Sequence, residues 1–411
     1  MKPICILVQN PYDGDVRVRR KAEALVAAGY AVDVLALRTS DTKKTYTLNG
    51  VNVYTLGLGK KRGTLLRYVF EYIAFFVWAF VRLSLRMPQR RYAVVDVNTL
   101  PDFLIFASLP ARWMGAKLVL DMHEITPEFY ISKYGIAEGS WVVRLLKRVE
   151  RMSFDFADHV ITIHEPIQDL LVGRGLSRAK STIIMNAVDE ANFLSRARPV
   201  AATETTPGAR FVMMYHGTLT SIYGLASAIE AFGVAHREMP GAEFWILGDG
   251  PEKSSLERLA RERGLTATVK LLGSVPPADI PSWLDRCDVG ILPMRRDVFL
   301  EFSFPNKLSE YIIVGKSVIV PRLRTIRHYF SDEALAYFEP NDPSDPAKQM
   351  ICLYRDSGLR ARLSARAKVE YGPIRWEVMK QRYLKLIEGI TTPTPPLAEG
   401  SYPAEATLKP R

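Results

Sequence analysis

Residues 301–320 read EFSFPNKLSEYIIVGKSVIV, and this stretch combines a loop, the start of a helix and a buried strand. Residues 318–320 are β-branched and follow a Gly-Lys turn, which predicts a strand buried on both faces. Pro305 is typical of the first turn of a helix, because its missing N–H costs nothing there. Lys307 and Glu310 then lie three residues apart, so the helix places both charged side chains on one face.

Apolar runs of strand length alternate with helical stretches along most of the chain. Because these runs are continuous rather than alternating, they indicate parallel strands covered by helices on both faces of a sheet. The runs are residues 4–8, 31–36, 94–97, 117–120, 160–163 and 182–185, and then 211–215, 244–247, 269–272, 289–292 and 318–320. The sequence therefore predicts two Rossmann-like, doubly wound α/β domains with parallel sheets, which face each other across a ligand-binding cleft.

Length and composition predict where the domains begin and end. The 411 residues exceed one ordinary core, so two domains are expected. Residues 196–208, RARPVAATETTPG, have no apolar period, which is typical of a linker between domains 1–195 and 209–370. Residues 371–390 form a last helix, and the Pro-rich residues 391–411 predict a disordered tail.

Charge and cysteine content limit the functional classes. A formal net charge of +11 suits nucleic acid, an anionic membrane surface or anionic small molecules. No recognised RNA- or DNA-binding motif accompanies the basic residues, so we expect no nucleic-acid partner. Cys5, Cys287 and Cys352 lie far apart and lack metal-ligand spacing, which favours a reducing, cytoplasmic compartment. The opening MKPICILVQNPYDG predicts a strand rather than a signal peptide.

Residues 65–85 read LLRYVFEYIAFFVWAFVRLSL, an aromatic and apolar segment with basic residues on both sides. Its uninterrupted apolar part covers only residues 72–81, about half the length that spans a bilayer. The segment therefore predicts either a buried core helix or a helix around residues 65–86 that lies on an anionic bilayer. In the second case the protein is peripheral at the inner face of the membrane.

The helix that begins near Pro305 also predicts a binding site. Its first amide groups lack intrahelical partners, and the positive end of the helix favours an anion. Lys307 adds a mobile cation, and Glu310 can accept hydrogen bonds from a sugar diol about one helical turn away. These features indicate a nucleotide clamp, with phosphate at the helix start and ribose on the glutamate. The alternative is an ordinary helix start followed by an exposed glutamate.

Other strand ends carry further side chains of interest. Gly248 and Asp249 lie between a strand and a helix, where the backbone can approach a ligand closely. His123 follows the strand KLVLDM, at the edge of the sheet where chemistry is favoured. The alternatives are an ordinary strand-to-helix turn and a core histidine. Asp13 and Asp15 form a D-x-D pair, for which a turn and a helix cap are favoured over a metal site.

Several motifs together resemble the GT-B glycosyltransferases, and most closely the retaining enzymes of glycosyltransferase family four, the glycosyl transferases of group one. The C-terminal half carries YHGTL, WILGDGP, DVGILPM and FPNKLSEYIIVGKSVI in the order of that family. The N-terminal half carries LVLDMHE, ADHVITIHEPI and IIMNAVD. The stretch YGPIRWEVMKQRYLKLIEGI is similar to the family's helix that crosses back to the N-terminal domain. The resemblance covers about residues 1–390.

The resemblance implies a role for each matching residue. Glu310 would bind the ribose of a nucleoside diphosphate sugar, and His123 would lie near the transferred sugar. His123, Lys307 and Glu310 would act in catalysis. The other donor-binding positions are Gly217, Thr218, Gly248, Asp249, Val275, Arg295, Pro305, Asn306 and again Lys307. The resemblance implies no metal ion and no cofactor besides the nucleotide-sugar co-substrate. It makes residues 1–195 the acceptor-binding domain and residues 209–370 the nucleotide-sugar-binding domain.

Two departures from the family pattern concern the donor site. The family's first glutamate should lie eight residues before Glu310, where this chain has Phe302, and Glu301 is one residue away. Glu301 is therefore one expected replacement, and a different way of holding the sugar is the other.

The family's arginine and lysine that steady the leaving diphosphate fall on Thr218 and Tyr223. Lys307, together with Arg295 or Arg296, supplies the cations that we expect to replace them. Because the family's arginine is absent, Thr218 takes its place in the glycine turn, where the resemblance puts it beside the phosphates.

The sequence as a whole predicts transfer of a sugar from a nucleoside diphosphate sugar with retention at the anomeric carbon. The basic, aromatic helix around Phe75 and Trp78 favours a lipid-linked or carbohydrate acceptor, as in bacterial surface polysaccharide or glycolipid synthesis. Two alternatives stay open: a nucleotide-sugar epimerase on the same frame, and a non-catalytic scaffold with a degenerate site.

Overall fold

The computed structural model describes residues 2–39, 41–58, 65–195, 210–340, 342 and 344–392. The predicted linker at residues 196–208 and residues 393–411 of the predicted tail lie outside the described residues. The described chain forms two α/β units, each built on its own sheet, which confirms the predicted fold class.

The first domain is built on an eight-stranded sheet. Its strands are β1 (Pro3–Pro11), β2 (Ala31–Leu37), β3 (Thr45–Leu48), β4 (Val51–Leu56), β5 (Val94–Asn98), β6 (Lys117–Met122), β7 (His159–Thr162) and β8 (Ser181–Ile183). They lie in the order β3-β4-β2-β1-β5-β6-β7-β8, and all neighbours are parallel except β3 and β4. The strand order reverses at β1, so a crevice for a ligand forms beyond the carboxyl ends of β1 and β5.

The second domain is built on a six-stranded, fully parallel sheet. Its strands are β9 (Phe211–His216), β10 (Ala242–Leu247), β11 (Val269–Gly273), β12 (Val289–Ile291), β13 (Ser317–Pro321) and β14 (Ala336–Phe338). They lie in the order β11-β10-β9-β12-β13-β14, so the order reverses at β9. The second crevice therefore lies beyond the carboxyl end of β9.

Helices cover both faces of each sheet. The first domain contains α1 (Val16–Ala27), α2 (Leu65–Arg90), α3 (Leu109–Trp113), α4 (Thr126–Tyr134), α5 (Trp141–Phe156), α6 (Glu165–Gly173) and α7 (Glu190–Ser195). The remaining helices are α8 (Leu225–Ala235), α9 (Lys253–Glu262), α10 (Ile280–Asp285), α11 (Asn306–Ile313), α12 (Arg324–Tyr329), α13 (Asp345–Arg355), α14 (Ser357–Tyr371) and α15 (Trp376–Thr391). Short 3₁₀ turns span Tyr12–Gly14, Asp102–Ser108, Arg178–Lys180, Ser221–Tyr223, His236–Glu238, Leu300–Phe302 and Gly372–Ile374.

The apolar runs did not predict three of the strands, β3, β4 and β14. In β3 and β4 buried or half-buried residues alternate with more exposed ones, so neither strand forms a continuous apolar run. This pattern is typical of a sheet edge with one covered face. β14 has only three residues and adds to the opposite edge of the second sheet. β3 and β14 thus lie at sheet edges and β4 lies next to β3, away from both crevices.

The last helix ties the C-terminal part of the chain to the first domain. α15 packs on α1 and on β5. The Tyr383 hydroxyl donates a hydrogen bond to the buried Asp96 carboxylate at 2.7 Å. The Arg20 guanidinium lies 5.0 Å from the ring centroid of Trp376. These contacts bring α15 across the sheet face that carries α1.

Direct contacts also join the two domains beside the cleft. The Nδ1 atom of His164 accepts a hydrogen bond from the Ile167 amide, so its Nε2–H donates to the Phe302 carbonyl at 2.8 Å. Burial lowers the pKa of His164 to about 4, which keeps this ring neutral. The Phe129 and Phe299 rings meet edge to face with centroids 5.5 Å apart. The loop around Phe302 is therefore held against the first domain.

The aromatic segment at residues 65–86 forms part of α2, a helix of 26 residues. Phe75, Ala79 and Leu83 on one side of α2 are fully buried in the core of the first domain. The interpretation as a core helix is thus right for that side. No helix in the described part of the chain is both long and apolar enough to cross a membrane.

Candidate functional site

Two glycine turns form the floor of a pocket at the carboxyl edge of the second sheet. Gly217 follows β9 with φ of +126°, and Gly248 follows β10 with φ of +149°. A Cβ atom on Gly248 would lie 1.8 Å from the Gly217 carbonyl oxygen, so no side chain fits between the two turns. The turns bring bare backbone to the pocket surface, as the prediction for Gly217 and Gly248 required.

α11 forms one wall of this pocket. It begins at Asn306 after Pro305, and among the described side chains none caps its first amide groups. Leu308 and Tyr311 are fully buried, and the Tyr311 hydroxyl donates to the Met214 carbonyl at 2.6 Å. This anchoring fixes the rotation of α11 about its axis. The helix therefore directs Lys307 and Glu310 towards the glycine turns.

Lys307 and Glu310 are two opposite charges that are largely excluded from water. Burial lowers the pKa of Lys307 to about 8, although the Glu310 carboxylate opposes this shift. Burial likewise raises the pKa of Glu310 to about 7, and here the Lys307 ammonium opposes it. Both charged forms are therefore incompletely stabilised by the protein, and an anion beside Lys307 or hydroxyl donors beside Glu310 would compensate.

Aromatic rings and an imidazole enclose this pair. The Lys307 ammonium lies 4.3 Å from the ring centroid of Tyr223 and 5.1 Å from that of Tyr215, which is cation–π geometry. The Nε2 atom of His216 lies 3.3 Å from Glu310 Oε2, and burial lowers the pKa of His216 to about 3. His216 is therefore neutral, and Tyr223 occupies the position where the family has a lysine. The sequence did not single out Tyr215 or His216, although both stand at the end of a buried strand.

The structure brings most of the predicted donor residues together. A cavity of about 350 Å³ opens beyond β9, β10 and β11. The predicted residues that line it are Gly217, Thr218, Gly248, Asp249, Val275, Lys307 and Glu310. These residues come from four separate chain segments, so the cavity depends on the parallel sheet and cannot be read from any single motif.

Three predicted donor residues do not line this cavity. Pro305 and Asn306 are half-buried at the start of α11, and Asn306 Oδ1 is buried without a hydrogen-bond partner in the described structure. Arg295 is exposed on the loop that follows β12. Arg296 is held elsewhere, because it donates to Glu301 and to the Arg322 carbonyl, both at 2.9 Å. Lys307 is thus the cation of the described part that lines the cavity.

The Glu301 carboxylate, the expected replacement for the family's first glutamate, is not among the residues that line this cavity or the two pockets at the carboxyl edge of the first sheet. It accepts hydrogen bonds from Arg296 Nε at 2.9 Å and from the Arg324 amide at 2.7 Å. The neighbouring Phe302 ring lies 5.1 Å from the Arg324 guanidinium. Both Glu301 oxygens are occupied within the second domain, so this expected replacement is not supported.

His123 lies on the opposite side, at the end of β6, and is buried. Its Nε2 atom lies 2.8 Å from Asn98 Oδ1, which also accepts from the Lys21 ammonium at 2.8 Å. Because Asn98 Oδ1 is an acceptor, Nε2 carries the proton. Burial and nearby cations lower the pKa of His123 well below its usual range, so the ring is neutral. Lys21 also forms a buried ion pair with Asp121, which holds its ammonium beside Asn98.

Two further pockets open at the carboxyl edge of the first sheet, and Arg17, His123 and Glu124 line both of them. One pocket extends to Glu71 on α2, and the other extends across to Phe302 in the second domain. The three pockets together give the site a nucleotide-sized cavity on one side and two smaller pockets on the other.

The D-x-D pair after β1 has a structural role. Asp15 caps α1 by accepting from the amides of Arg17 and Val18, and it also pairs with the Arg17 guanidinium at 3.1 Å. The Asp13 carboxylate accepts a hydrogen bond from the Tyr46 hydroxyl at 2.8 Å. Within the described ranges no group of three or more His, Cys, Asp and Glu side chains could hold a metal ion.

Family models match both domains. Residues 14–187 match the glycosyl transferase 4-like domain, and residues 210–356 match glycosyl transferases group 1. The two matches are separated by residues 188–209, which include the predicted linker at residues 196–208. The first match begins after β1, and the second covers all six strands of the second sheet.

Curated relatives share about a quarter of their residues with the matched part of this chain. One subunit of the phosphatidylinositol N-acetylglucosaminyltransferase of Arabidopsis thaliana is 26% identical over 58% of this chain. The probable glycosyltransferase WbjE of Pseudomonas aeruginosa is 25% identical over 64% of this chain. The chain spans only 49% and 66% of the lengths of these two relatives.

Solved structures of glycosyltransferases share the fold along nearly the whole chain. Sucrose-phosphate synthase from Thermosynechococcus elongatus gives a TM-score of 0.75 at 17% identity, over 95% of this chain and 99% of that one. Anabaena HepE in complex with UDP-glucose gives a TM-score of 0.67 at 15% identity, over 95% and 100% of the two chains. The two family matches and the paired parallel sheets agree: the chain belongs to the GT-B glycosyltransferases of group 1.

Proposed function

We propose that this glycosyltransferase moves a sugar from a nucleoside diphosphate sugar to an acceptor hydroxyl, with retention, during assembly of a bacterial surface polysaccharide or glycolipid. The observation that carries the proposal is that the half-buried Lys307 and Glu310 line one cavity together with the glycine turns. Relatives named for colanic acid biosynthesis and lipopolysaccharide core biosynthesis support the setting, and the UDP-glucose complex of HepE supports the donor class.

The donor is bound in three parts along the cavity. The free amides at the start of α11 and the Lys307 ammonium bind the diphosphate, because both supply positive charge in a site with little water. The Glu310 carboxylate accepts hydrogen bonds from the ribose hydroxyls. The loop at Val275 contacts the base. The backbone at Gly217 and Gly248 provides the room that the phosphates need.

Leaving-group stabilisation is the main catalytic contribution of this chain. Negative charge grows on the departing diphosphate while the sugar becomes positively charged. Lys307 is already positioned for that charge, so little reorganisation is needed when the bond breaks. With amides and a cation in this role, we propose that the reaction requires no metal ion.

Replacing Lys307 by alanine should lower the release of nucleoside diphosphate by about 100- to 1000-fold, the usual cost of losing one preorganised charge-stabilising group. Glu310 would lose its counter-charge but could bind a proton instead, because its pKa is already about 7. The melting temperature should therefore change little. Turnover is measured with a panel of nucleotide sugars in EDTA, and Lys348→Ala on the exposed surface of α13 is the matched control.

Near wild-type turnover of Lys307→Ala, with unchanged melting, would contradict the role of this lysine. Isomerised nucleotide sugar without nucleotide release would instead identify an epimerase. No consumption of any nucleotide sugar would favour the non-catalytic scaffold. The anomeric configuration of the product, read by NMR, tests retention.

Affinity for a nucleoside diphosphate should be highest between about pH 7 and pH 8. Below this window Glu310 takes up a proton and no longer binds ribose as a carboxylate. Above it Lys307 loses its proton and no longer attracts phosphate.

Calorimetric titrations at several pH values measure the loss of affinity on the acidic and on the basic side of this window. Lys307→Arg should extend binding to higher pH, and Glu310→Gln should weaken the acidic limb. Equal affinity from pH 6 to pH 9 would be incompatible with this account.

The acceptor binds in the pocket that reaches α2. Glu71 and Tyr72 of α2 line this pocket together with Gln9, whose Oε1 atom is buried without a partner in the described structure. Because the buried Gln9 Oε1 accepts hydrogen bonds, it suits a ligand that brings hydroxyl groups. The pocket therefore fits a sugar acceptor close to α2.

The outer side of α2 supports a lipid-linked acceptor. An exposed apolar row follows the helix with a spacing of four residues: Val69, Ile73, Val77, Val81 and Leu85. The predicted contacts need correction, because Phe75 is fully buried and Phe76 and Trp78 are half-buried against the domain core. The exposed apolar side chains of α2 are this aliphatic row and Phe70, which is 64% exposed.

A second helix extends this surface. Exposed Trp141, Leu145 and Met152 lie on one side of α5, and the exposed Arg144 and Arg148 lie among them. The 3₁₀ turn Asp102–Ser108 packs against both α2 and α5, so the two helices cover the same sheet face. Apolar side chains with basic neighbours suit an anionic bilayer surface.

The double variant Ile73→Asp, Val77→Asp should lose most of its binding to vesicles of anionic lipid, because two carboxylates would replace apolar contacts with the bilayer. Vesicle sedimentation at low salt measures the bound fraction. Val234→Asp is the control, because Val234 is 65% exposed on the second domain. Equal binding by wild type and the double variant would refute the membrane contact through α2.

A further inference from the structure

The donor site described above has Phe302 at the position where the family has its first glutamate. A transferred sugar presents several hydroxyl groups, and a buried site that selects a sugar needs acceptors for them. The loop at residues 300–302 contributes the Phe302 side chain towards the cleft, while Glu301 is occupied by Arg296 and the Arg324 amide. The second domain therefore leaves the sugar end of the donor without the expected acceptor.

Glu124 on the first domain lies where a replacement is needed. It lines the same pocket as Phe302, on the opposite wall, and it also lines the pocket that reaches α2. No hydrogen bond or ion pair holds its carboxylate within the described residues, in contrast to Glu301 and Glu71. The carboxylate is thus available at the junction between the two pockets.

The electrostatics of the cleft agree with this position. Burial raises the pKa of Glu124, while Arg17 and Lys133 oppose the shift from the first domain. Arg17 is itself paired with Asp15. The charge of Glu124 contributes to the raised pKa of Tyr223 on the second domain. The Tyr223 ring in turn lies 4.3 Å from the Lys307 ammonium.

We infer that Glu124 holds the hydroxyl groups of the donor sugar, in place of the glutamate that the loop at Phe302 lacks. This inference rests on the proposed function, because it assumes that a nucleotide sugar binds beside Lys307. The sugar would then be held by one domain and its diphosphate by the other. A donor whose sugar has no hydroxyl group beside Glu124 would lose this hydrogen-bond contact.

Calorimetric binding separates the sugar contact from the nucleotide contact. UDP, GDP, ADP and dTDP identify the nucleotide, and UDP-glucose, UDP-N-acetylglucosamine, GDP-mannose, ADP-glucose and dTDP-glucose serve as sugar probes. For the nucleotide sugar that wild type binds best, Glu124→Ala should lower affinity by about 10- to 100-fold, because it removes hydrogen bonds to a charged group. Glu124→Gln should lower it less, because the amide still accepts. Both variants should bind the bare nucleotide as wild type does.

Glu301→Gln is the competing variant. It should leave nucleotide-sugar affinity unchanged, because Glu301 does not line the pocket shared by Glu124 and Phe302. Two results would overturn the inference: an unchanged nucleotide-sugar affinity in Glu124→Ala, or an equal loss for sugar and bare nucleotide. Wild type that binds nucleotides but none of the sugar probes would also overturn it. Wild type that binds no nucleotide would instead refute the proposed function itself.

Discussion

The two opposite charges of Lys307 and Glu310, both half-buried in one cavity, are the constraint on which this account depends. Taking two charges out of water is costly unless partners replace the lost hydration. Here the partners within the protein are incomplete, since burial shifts both pKa values towards the neutral forms. A diphosphate and a ribose would complete the set. The rest of the second domain keeps the pair in place: Tyr311 anchors α11, and the bare turns at Gly217 and Gly248 leave room in front of it.

The two domains contribute different chemistry to one cleft. The second domain offers a cation, free amides and one carboxylate, which suits an anionic nucleotide. The first domain offers a neutral His123 and several hydrogen-bond acceptors, which suits hydroxyl groups. His164 joins the two sides by binding the Phe302 carbonyl. Because α15 also packs on the first domain, the spacing of the cleft depends on contacts far from the nucleotide.

The sequence predicted the fold and the start of α11 because both follow from local rules. Continuous apolar runs are typical of parallel strands, and Pro305 marks a helix start whatever surrounds it. The edge strands β3 and β14 escaped, since one alternates in burial and the other is very short. Resemblance to the family supplied Gly217, Val275 and His123, whose roles depend on chain segments that meet only in the folded state.

Side-chain orientation limited the remaining predictions. Glu301 is next to the expected position in sequence, but its carboxylate turns away to Arg296. The aromatic residues of α2 predicted a membrane contact, but helical rotation buries Phe75 and exposes the aliphatic row instead. Tyr223 could be identified only as a missing lysine, whereas the structure shows its ring covering Lys307. In each case the contacts of the side chain depend on its orientation in the folded chain, which the sequence pattern does not specify.

The most direct test is the thermal stability of wild type and Glu310→Ala with UDP, GDP, ADP or dTDP, without added metal. Glu262→Ala on the exposed side of α9 is the control for a lost carboxylate. The account predicts that one nucleotide raises the melting temperature of wild type and of the control, and that Glu310→Ala loses this rise. No rise with any nucleotide, or the same rise in Glu310→Ala, would contradict it.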